Sequence, residues 1–225
     1  MAITVRTFVA ADNDAARALF SAGMMSLVPA LVRGTLLPPG KVGAILAALL
    51  LSLRLLLAAT PPALAGVALA LLLAHRAMLS RLMSDYVAGA LASDCADIEA
   101  FYRGGGGEFW CATDDDDDGG GGGGALAGIV AAEMKSDEEI ELRRMSVDPR
   151  YQGRGVASRL VKRLEAFGSE RGFRRVVLSC SSVQHAGIAL YRSCGYKVVR
   201  EESMPDTRIS SVRIFHWEKE LKKVD

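Results

Sequence analysis

A glycine-rich turn between a strand-like run and an amphipathic helix is the feature that most restricts how this chain can fold. Residues 140–147 (IELRRMSV) are typical of a strand, and residues 152–157 read QGRGVA. The helix that follows has apolar residues near helical spacing at Val156, Leu160, Leu164 and Phe167. A strand that opens a helix through such a turn leaves backbone N–H groups at the positive end of the helix dipole, and Gly153 and Gly155 allow close approach. The pattern predicts an anion site suited to a pyrophosphate.

Two other phosphate-binding loops fit this segment less well. A Walker loop requires Gly-Lys-Ser/Thr, which the segment lacks. A dinucleotide-binding fingerprint would have Gly or Ala at the position of Ser158, and an acidic residue about 20 positions later at a strand end. An ordinary helix N-terminus is the remaining alternative, and the second half of the chain argues against it.

Length and charge limit the classes of partner. The 225 residues predict one domain plus an additional element, and a net charge of +1 does not support a nucleic-acid partner. The four cysteines contain no Cys-x-x-Cys pair, and no histidine lies at ligand spacing from them. We therefore expect neither a metal site nor a disulfide framework, which suits a reducing compartment.

The additional element is a hydrophobic block at residues 42–73. It begins after a polar segment well inside the chain, so it is not predicted to be a cleavable signal peptide. Pro61 and its neighbour divide it into arms at 42–60 and 63–79, each roughly 25–28 Å long as a helix and close to the hydrocarbon thickness of a membrane. Arg54 would cost up to about 3 kcal/mol at mid-membrane. A buried hairpin of a soluble protein is the alternative, but the scarcity of polar residues favours membrane association.

The rest of the chain alternates between strand-like and helix-like segments. After the block, Ser93 and Asp94 are predicted to cap a helix that runs through Ile98 and Phe101. Asp97 lies in its first turn, where a carboxylate favours the dipole. The other expected elements are strands at 3–8, 108–113, 125–134, 140–147, 175–179 and 212–217 and helices at 12–25, 156–171 and 186–193.

An Asp/Gly tract separates two of the predicted strands. Residues 114–118 are all aspartate and residues 119–124 are all glycine, so a disordered loop is expected over 114–124. Calcium binding is a weak alternative, because the acids lack the spaced pattern of a calcium loop. We assign no function to this tract.

Two motifs resemble those of the GCN5-related N-acetyltransferases (GNAT). The turn is similar to the Gln/Arg-x-x-Gly-x-Gly/Ala segment with which that family holds the pyrophosphate of acetyl-CoA. Residues 187–196 (GIALYRSCGY) resemble its A-x-x-L-Y-x-x-x-G-F/Y helix, whose tyrosine points at the thioester sulfur; Tyr191 matches that tyrosine. Gln184 stands where family members commonly carry Asn. The cofactor-binding residues implied in the turn are Gln152, Gly153, Arg154, Gly155, Val156 and Ala157.

The resemblance also implies a fold and a reaction. The implied fold is of the α/β (α+β) class, a mixed and mostly antiparallel sheet with flanking helices, here interrupted by a hydrophobic helical hairpin. The strand before the turn would splay from the next one, and backbone groups of Met145 and Val147 would bind the acetyl-pantetheine arm as an added strand. The departing thiolate needs an acid, which Tyr191 would supply unless it is only a half-buried aromatic residue. Glu141 is the candidate base, and a solvated carboxylate or a water base are equal alternatives.

A first strand and helix and the hydrophobic block are followed by three segments, DYVAGALASDCADIEAFY from Asp85, EFWCAT from Glu108 and ELRRMSVDPRYQGRGVA from Glu141. This order, which covers most of the chain, resembles the camello-type membrane acetyltransferases, most of all their aspartate N-acetyltransferase branch. The implied organisation is a first strand and helix at 1–41, a membrane hairpin at 42–79 and the remaining acetyltransferase domain at 80–225. Because 1–41 belongs to the same sheet as the cofactor site, both ends of the hairpin must lie on one side of a membrane. Basic residues flank both ends, which predicts a cytosolic catalytic domain on an intracellular membrane such as the endoplasmic reticulum.

A small-molecule amine is the expected acceptor. A dicarboxylate such as aspartate needs cationic partners, preferably arginine. Arg143 and Arg144 are adjacent on the strand and are expected to face opposite ways, so at most one points into the groove; family position favours Arg144. Cysteine S-conjugates and protein lysines are alternative acceptors, and an inactive membrane scaffold is the alternative from another class.

Overall fold

Seven strands form one mixed sheet in the part of the chain that the computed structural model describes, residues 2–36, 41–56, 61–116, 124–203 and 212–222. Their spatial order is β1-β2-β3-β4-β5-β7-β6. The strands are β1 (Ile3–Thr7), β2 (Glu108–Asp114), β3 (Ala125–Met134), β4 (Glu139–Val147), β5 (Arg175–Ser181), β6 (Lys197–Ser203) and β7 (Arg213–Glu220). The helices are α1 (Asn13–Met25), α2 (Val28–Leu36), α3 (Lys41–Leu56), α4 (Pro61–Ala92), α5 (Ile98–Gly104), α6 (Val156–Glu170) and α7 (His185–Ser193).

The sheet is antiparallel except where β4 meets β5. These two strands are parallel, and they pair only where Glu139–Glu141 faces Arg175–Val177. Beyond Glu141 they diverge and leave a cleft in the middle of the sheet. The predicted fold, a mixed and mostly antiparallel sheet with a splay at this point, is confirmed.

Side chains alternate between two apolar layers, one on each face of the sheet. On one face α6 packs over a core that contains Trp110, Val130, Ile140, Leu160, Leu164 and Trp217. On the other face α1, α5 and the end of α4 enclose Phe20, Val87, Ile98, Tyr102, Phe109 and Ile129. Adjacent residues of β2 and β3 therefore belong to different cores, which fixes the register of the central strands.

The hydrophobic block forms two helices. α3 covers most of the first predicted arm, and α4 begins at Pro61, a position that proline suits at the start of a helix. α4 continues without interruption to Ala92, where Val87 and Ala90 are buried in the sheet layer. The boundary expected between residues 79 and 80 therefore falls inside one helix, because no residue there breaks it.

Many apolar side chains of the block face outward. Large exposed hydrophobic residues on α3 and α4 include Ile45, Leu49, Leu51, Leu55, Leu69, Leu72, Leu73 and Leu82. By length and composition, the segments Ala10–Leu36 and Pro61–Ala92 could cross a membrane. The first of these contains α1, which buries Ala16 and Phe20 against the sheet and so belongs to the domain core.

Three differences from the sequence expectations matter for the site. β6 was not predicted, because all its side chains are exposed and the strand carries no buried face. α2 was not predicted either. The cap of α5 is Asp97, whose side chain accepts from the Ala100 N–H at 2.9 Å. Asp94, expected to cap this helix, is instead buried in an ion pair. Most of the Asp/Gly tract (117–123) lies outside the described residues.

Candidate active site

A bulge in β4 begins the candidate site. Ile129 pairs with Ser146 and Ala131 pairs with Arg143, so a single residue of β3 faces both Arg144 and Met145. Arg144 has φ of +53°, the left-handed region that costs a residue with a Cβ roughly 1–2 kcal/mol. The bulge lies just beyond Glu141, where the pairing of β4 with β5 ends.

A buried ion pair holds the Arg144 side chain. Its Nε and Nη2 donate to the two carboxylate oxygens of Asp94 at 2.7 and 2.6 Å, and both side chains are buried. Tyr102 also donates to Asp94, and the guanidinium lies 4.7 Å from the centre of the Phe20 ring. Burial disfavours the Asp94 carboxylate, but the hydrogen bonds from Arg144 and Tyr102 outweigh it, so the pKa of Asp94 is lowered. The turn after α4 is thereby fastened to the bulge of β4.

The divergence of β4 leaves its far end unpaired on one edge. Val147 pairs with Gly128 of β3, but the ladder to β5 has already ended at Glu141. The backbone of Met145 and Val147, both predicted to bind the cofactor arm, lies on this part of β4. An extended ligand could add to the free edge in the way that an extra strand would.

The glycine-rich turn begins α6 in the predicted manner. Gly153 and Gly155 have φ of +74° and +77°, and a Cβ added to either would meet no atom within 4 Å. Glycine is therefore required for backbone conformation rather than for space. Gly155 is the N-cap of α6 and supplies no side-chain cap, so N–H groups of the first turn, which includes Val156 and Ala157, lack an intrahelical partner. This donor set fits a pyrophosphate.

Side chains around the turn are already anchored. Gln152 Nε2 lies 3.4 Å from the Val147 carbonyl oxygen, which links the turn to the end of β4. The Arg154 guanidinium lies 5.9 Å from the centre of the Tyr151 ring and adds positive charge beside the turn. Both contacts connect the turn to its immediate neighbours, the end of β4 and the segment before the turn.

Tyr191 is buried on α7 against Tyr196 and Trp217, with ring centres 5.9 and 6.2 Å away. Burial raises the pKa of Tyr191, so its hydroxyl stays protonated at neutral pH and can donate. Gln184 is the N-cap residue of α7, and its Oε1 accepts from the Ser181 N–H at 2.7 Å. The Gln184 amide thus joins the end of β5 to the helix that carries Tyr191.

A cavity of about 450 Å³ joins several of the predicted residues. Glu141, Arg144, Met145, Gln184 and Tyr191 all border it. Val147 and residues 152–157 are outside its lining, at the end of β4 and the start of α6. The two groups of predicted residues therefore lie at different parts of the cleft, as a long ligand would need.

Charged groups on β4 have partners. The Glu141 carboxylate lies 2.9 Å from the Lys135 ammonium, and Arg143 forms an ion pair with Glu133. Arg143 and Arg144 both border the cavity, together with Glu141, Leu142 and Met145. The bulge at Arg144 interrupts the simple alternation of β4. That at most one of the two arginine side chains points into the groove stays a prediction.

The opposite wall of the cavity was not anticipated from the sequence. It is apolar and comes from the helices next to the hydrophobic block, through Phe20, Met24, Leu27, Leu31, Leu79, Leu82, Met83 and Tyr86. Asp94, Ser179 and Cys180 were also missed, and no local motif marks them. Among the described residues, no group of three or more His, Cys, Asp or Glu could hold a metal ion.

Solved structures share this architecture. An acetyltransferase of the GNAT family from Staphylococcus aureus Mu50 aligns with a TM-score of 0.56 at 12% identity, covering 98% of this chain and 100% of that one. A GNAT-superfamily phosphinothricin acetyltransferase from Sinorhizobium meliloti, solved in complex with AcCoA, aligns with a TM-score of 0.54 at 16% identity, covering 98% and 89%. At these identities the similarity establishes the GNAT fold.

Sequence comparison then identifies the family. The acetyltransferase (GNAT) family model matches residues 76–196, more than half of the chain, and the protein therefore belongs to that family. N-acetylaspartate synthetase of Rattus norvegicus is 36% identical over 200 residues, which are 87% of this chain and 63% of that protein. The chain thus spans somewhat less than two thirds of that relative's length.

Proposed function

We propose that the protein is an acetyl-CoA-dependent N-acetyltransferase that acetylates the amine of a small amino acid, with L-aspartate as the first candidate. The observation that carries the proposal is that β4, whose far end has a free edge, leads directly into the uncapped N-terminus of α6 and shares a cavity with the buried Tyr191. Family membership and the similarity to N-acetylaspartate synthetase support the same reaction and acceptor.

Each group has a distinct task in this proposal. The turn from Gln152 to Ala157 binds the pyrophosphate through backbone N–H groups, and Met145 and Val147 hold the acyl arm along β4. Gln184 contacts the arm near α7. Acetyl-CoA supplies a thioester carbonyl that the acceptor amine attacks. Tyr191 donates its proton to the departing sulfur as the C–S bond breaks.

Two arginines support an acidic acceptor. A guanidinium binds a carboxylate through paired N–H donors. Arg144 uses Nε and Nη2 on Asp94, whereas its Nη1 lies 3.3 Å from the Tyr86 hydroxyl on the cavity wall. Arg143 also borders the cavity, and its side chain is 28% exposed. A guanidinium has five N–H donors, so the pairs with Asp94 and Glu133 do not use all of them. We propose that the remaining donors of these two residues orient the acceptor carboxylates.

The apolar wall favours a second candidate, an acceptor with an apolar tail. Leucine, methionine and aromatic side chains of α1, α2 and α4 face the arginines across the cavity. A cysteine S-conjugate would place its amino-acid part near β4 and its tail on this wall. A protein lysine has less support, because the cavity carboxylate Glu141 is already paired with Lys135.

The deciding experiment measures CoA release by the detergent-solubilised protein with acetyl-CoA and three acceptors. These are L-aspartate, S-benzyl-cysteine and a lysine peptide. Selective turnover of aspartate supports the first candidate, and turnover of the cysteine conjugate supports the second. An absence of CoA release with all three acceptors, despite acetyl-CoA binding, would refute the proposed acceptors and support a scaffold.

We also propose that α3 and α4 anchor the protein as a hairpin in an intracellular membrane, with the catalytic domain in the cytosol. The exposed leucines of both helices and the continuity of α4 into the sheet layer support this arrangement. Basic residues on both flanks favour the cytosolic side. Glycosylation tags at the two termini should both remain unmodified on microsomes. Modification of one terminus alone would refute the hairpin.

A further inference from the structure

A serine, a histidine and a glutamate form a row of hydrogen bonds across β5, β7 and β6, beside the cleft. Ser179 Oγ on β5 lies 2.9 Å from His216 Nδ1 on β7. His216 Nε2 lies 2.8 Å from Glu202 Oε1 on β6. Ser179 and His216 are direct partners in the strand register, so the backbone itself sets their proximity.

Ser179 is the member of this hydrogen-bonded row that borders the cavity. It is exposed and borders the same cavity as Glu141 and Tyr191. Its neighbour Cys180 is buried in the core beneath α6 and α7. Because adjacent residues of a strand face opposite ways, Ser179 faces away from that core, towards the side of the cavity bordered by α1 and α2.

The tautomer of His216 sets the direction in which a proton can move. In the neutral tautomer with Nε2–H donating to Glu202, Nδ1 is free to accept the Ser179 O–H. Arg200 Nη2 lies 3.2 Å from Nε2 and 3.5 Å from the Glu202 carboxylate. Because a guanidinium only donates, it can hydrogen-bond Nε2 only in the other tautomer, and in this one it pairs with Glu202. The hydrogen bond from His216 lowers the pKa of Glu202, so this group is a carboxylate that can stabilise an imidazolium.

We infer that Ser179 and His216 remove the proton from the acceptor ammonium, with Glu202 positioning His216, in place of Glu141. This inference rests on the proposed acetyl transfer. The Glu141 carboxylate already contacts the Lys135 ammonium, whereas the serine hydroxyl on the cavity leads to an imidazole that can take a proton. No local motif indicates this arrangement, because its residues lie on three strands and β6 was not predicted.

The proton transfer balances with the proposed reaction. The ammonium gives one proton to Ser179 Oγ as the serine proton passes to His216 Nδ1, and the imidazolium later releases it to water. The amine lone pair then attacks the thioester carbonyl. Tyr191 protonates the departing sulfur and regains a proton from the acetylated nitrogen. The products are the amide, CoA and one proton.

The test measures kcat against pH for the full-length protein with whichever of the three acceptors is turned over fastest. His216→Gln and Ser179→Ala are each expected to lower kcat about 100-fold, with acetyl-CoA affinity changed less than about twofold. The acid-side fall in wild-type kcat should disappear in His216→Gln, because no imidazole remains to be protonated. Ser179→Thr, which keeps the hydroxyl, should recover about tenfold or more relative to Ser179→Ala.

Glu202→Gln and Glu201→Gln provide a matched pair. The two carboxylates are similarly exposed, but Glu201 pairs with Arg213 instead of His216. Glu202→Gln should lower kcat about tenfold, and Glu201→Gln should leave it unchanged. The inference would be overturned if His216→Gln kept the wild-type kcat together with its fall at acid pH. It would also be overturned if Glu141→Gln abolished the fall of kcat at acid pH. If the wild-type protein released no CoA, the proposed function itself would be refuted, and with it the proton transfer through Ser179 and His216.

Discussion

The proposed cofactor side and the proposed acceptor side of the cleft are built in opposite ways. The predicted cofactor groups from Met145 to Ala157 are almost contiguous in sequence and follow β4 directly into α6. The cavity proposed for the acceptor is bordered by residues from Phe20 to Ile214, on four helices and three strands. The residues proposed to bind acetyl-CoA, the cosubstrate of this family, lie mostly in one strand–turn–helix segment. The surroundings of the acceptor depend instead on how elements far apart in sequence pack together.

Tyr191 borders the cavity as Met145 does, and its removal should have the largest effect. Tyr191→Phe keeps the ring contacts but loses the proton donor, so kcat is expected to fall about 10²- to 10⁴-fold with little change in acetyl-CoA affinity. CoA-release kinetics and calorimetric binding of acetyl-CoA measure the two quantities. Tyr196→Phe is the control, because Tyr196 is a second buried tyrosine of the same cluster. An unchanged kcat would exclude Tyr191 as the acid.

The buried ion pair tests whether the acceptor side depends on long-range packing. Arg144→Ala leaves the Asp94 carboxylate buried without its main partner, so the free energy of unfolding should fall by about 3–5 kcal/mol. Arg143→Ala removes a more exposed pair with Glu133 and should cost about 1 kcal/mol or less. Urea unfolding of both variants provides the comparison. If Arg144→Ala and Arg143→Ala lowered the free energy of unfolding equally, the pair of Asp94 with Arg144 would not be what holds the bulge.

The turn tests the opposite case, a local requirement on the cofactor side. Gly155→Ala places a Cβ on a residue in the left-handed region, which costs roughly 1–2 kcal/mol. Because this strain distorts the turn, the KM for acetyl-CoA should rise about tenfold, while the KM for the acceptor should not change. Gly172→Ala is the matched control. Gly172 has φ of +82° with the same open surroundings, but it follows the far end of α6. If both variants raise the KM equally, the effect is a general loss of stability.

Acid titration gives the smallest expected effect and sharpens the role of Asp94. The pKa of Asp94 is lower in the folded protein than in the unfolded chain, where it is about 3.9. The ionised carboxylate therefore stabilises the folded protein. This stabilisation is fully present above the unfolded-state pKa and is lost as pH falls through the folded-state pKa. The difference in unfolding free energy between wild type and Asp94→Asn should therefore narrow below about pH 4. A difference that stays constant down to that folded pKa would contradict the ionised pair.

The elements with a buried periodic pattern were predictable. β3 extends from Ala125 to Met134 as the sequence indicated, because both of its faces are covered and the run is continuously apolar. α6 follows from its apolar spacing. β6 was missed because an exposed edge strand needs only backbone pairing with β7, which leaves no apolar signature.

Asp94 shows why part of the site could not be predicted. In sequence it resembles a helix cap, since it stands just before a helical segment. In the folded protein the cap is Asp97, and Asp94 pairs with Arg144, fifty positions further along the chain. The bulge that turns Arg144 towards it arises from the register between β3 and β4, which local propensity does not determine.

The sequence by itself determined the strand, turn and helix that form the predicted pyrophosphate site, because backbone conformation at Gly153 and Gly155 and the orphan N–H groups of a helix start are local properties. It also determined the two apolar helices after residue 40. Only the tertiary structure decided the bulge of β4, the Asp94–Arg144 pair and the apolar wall of the cavity. These depend on strand register and on the packing of helices far apart in the chain, where burial and pairing outweigh local preference.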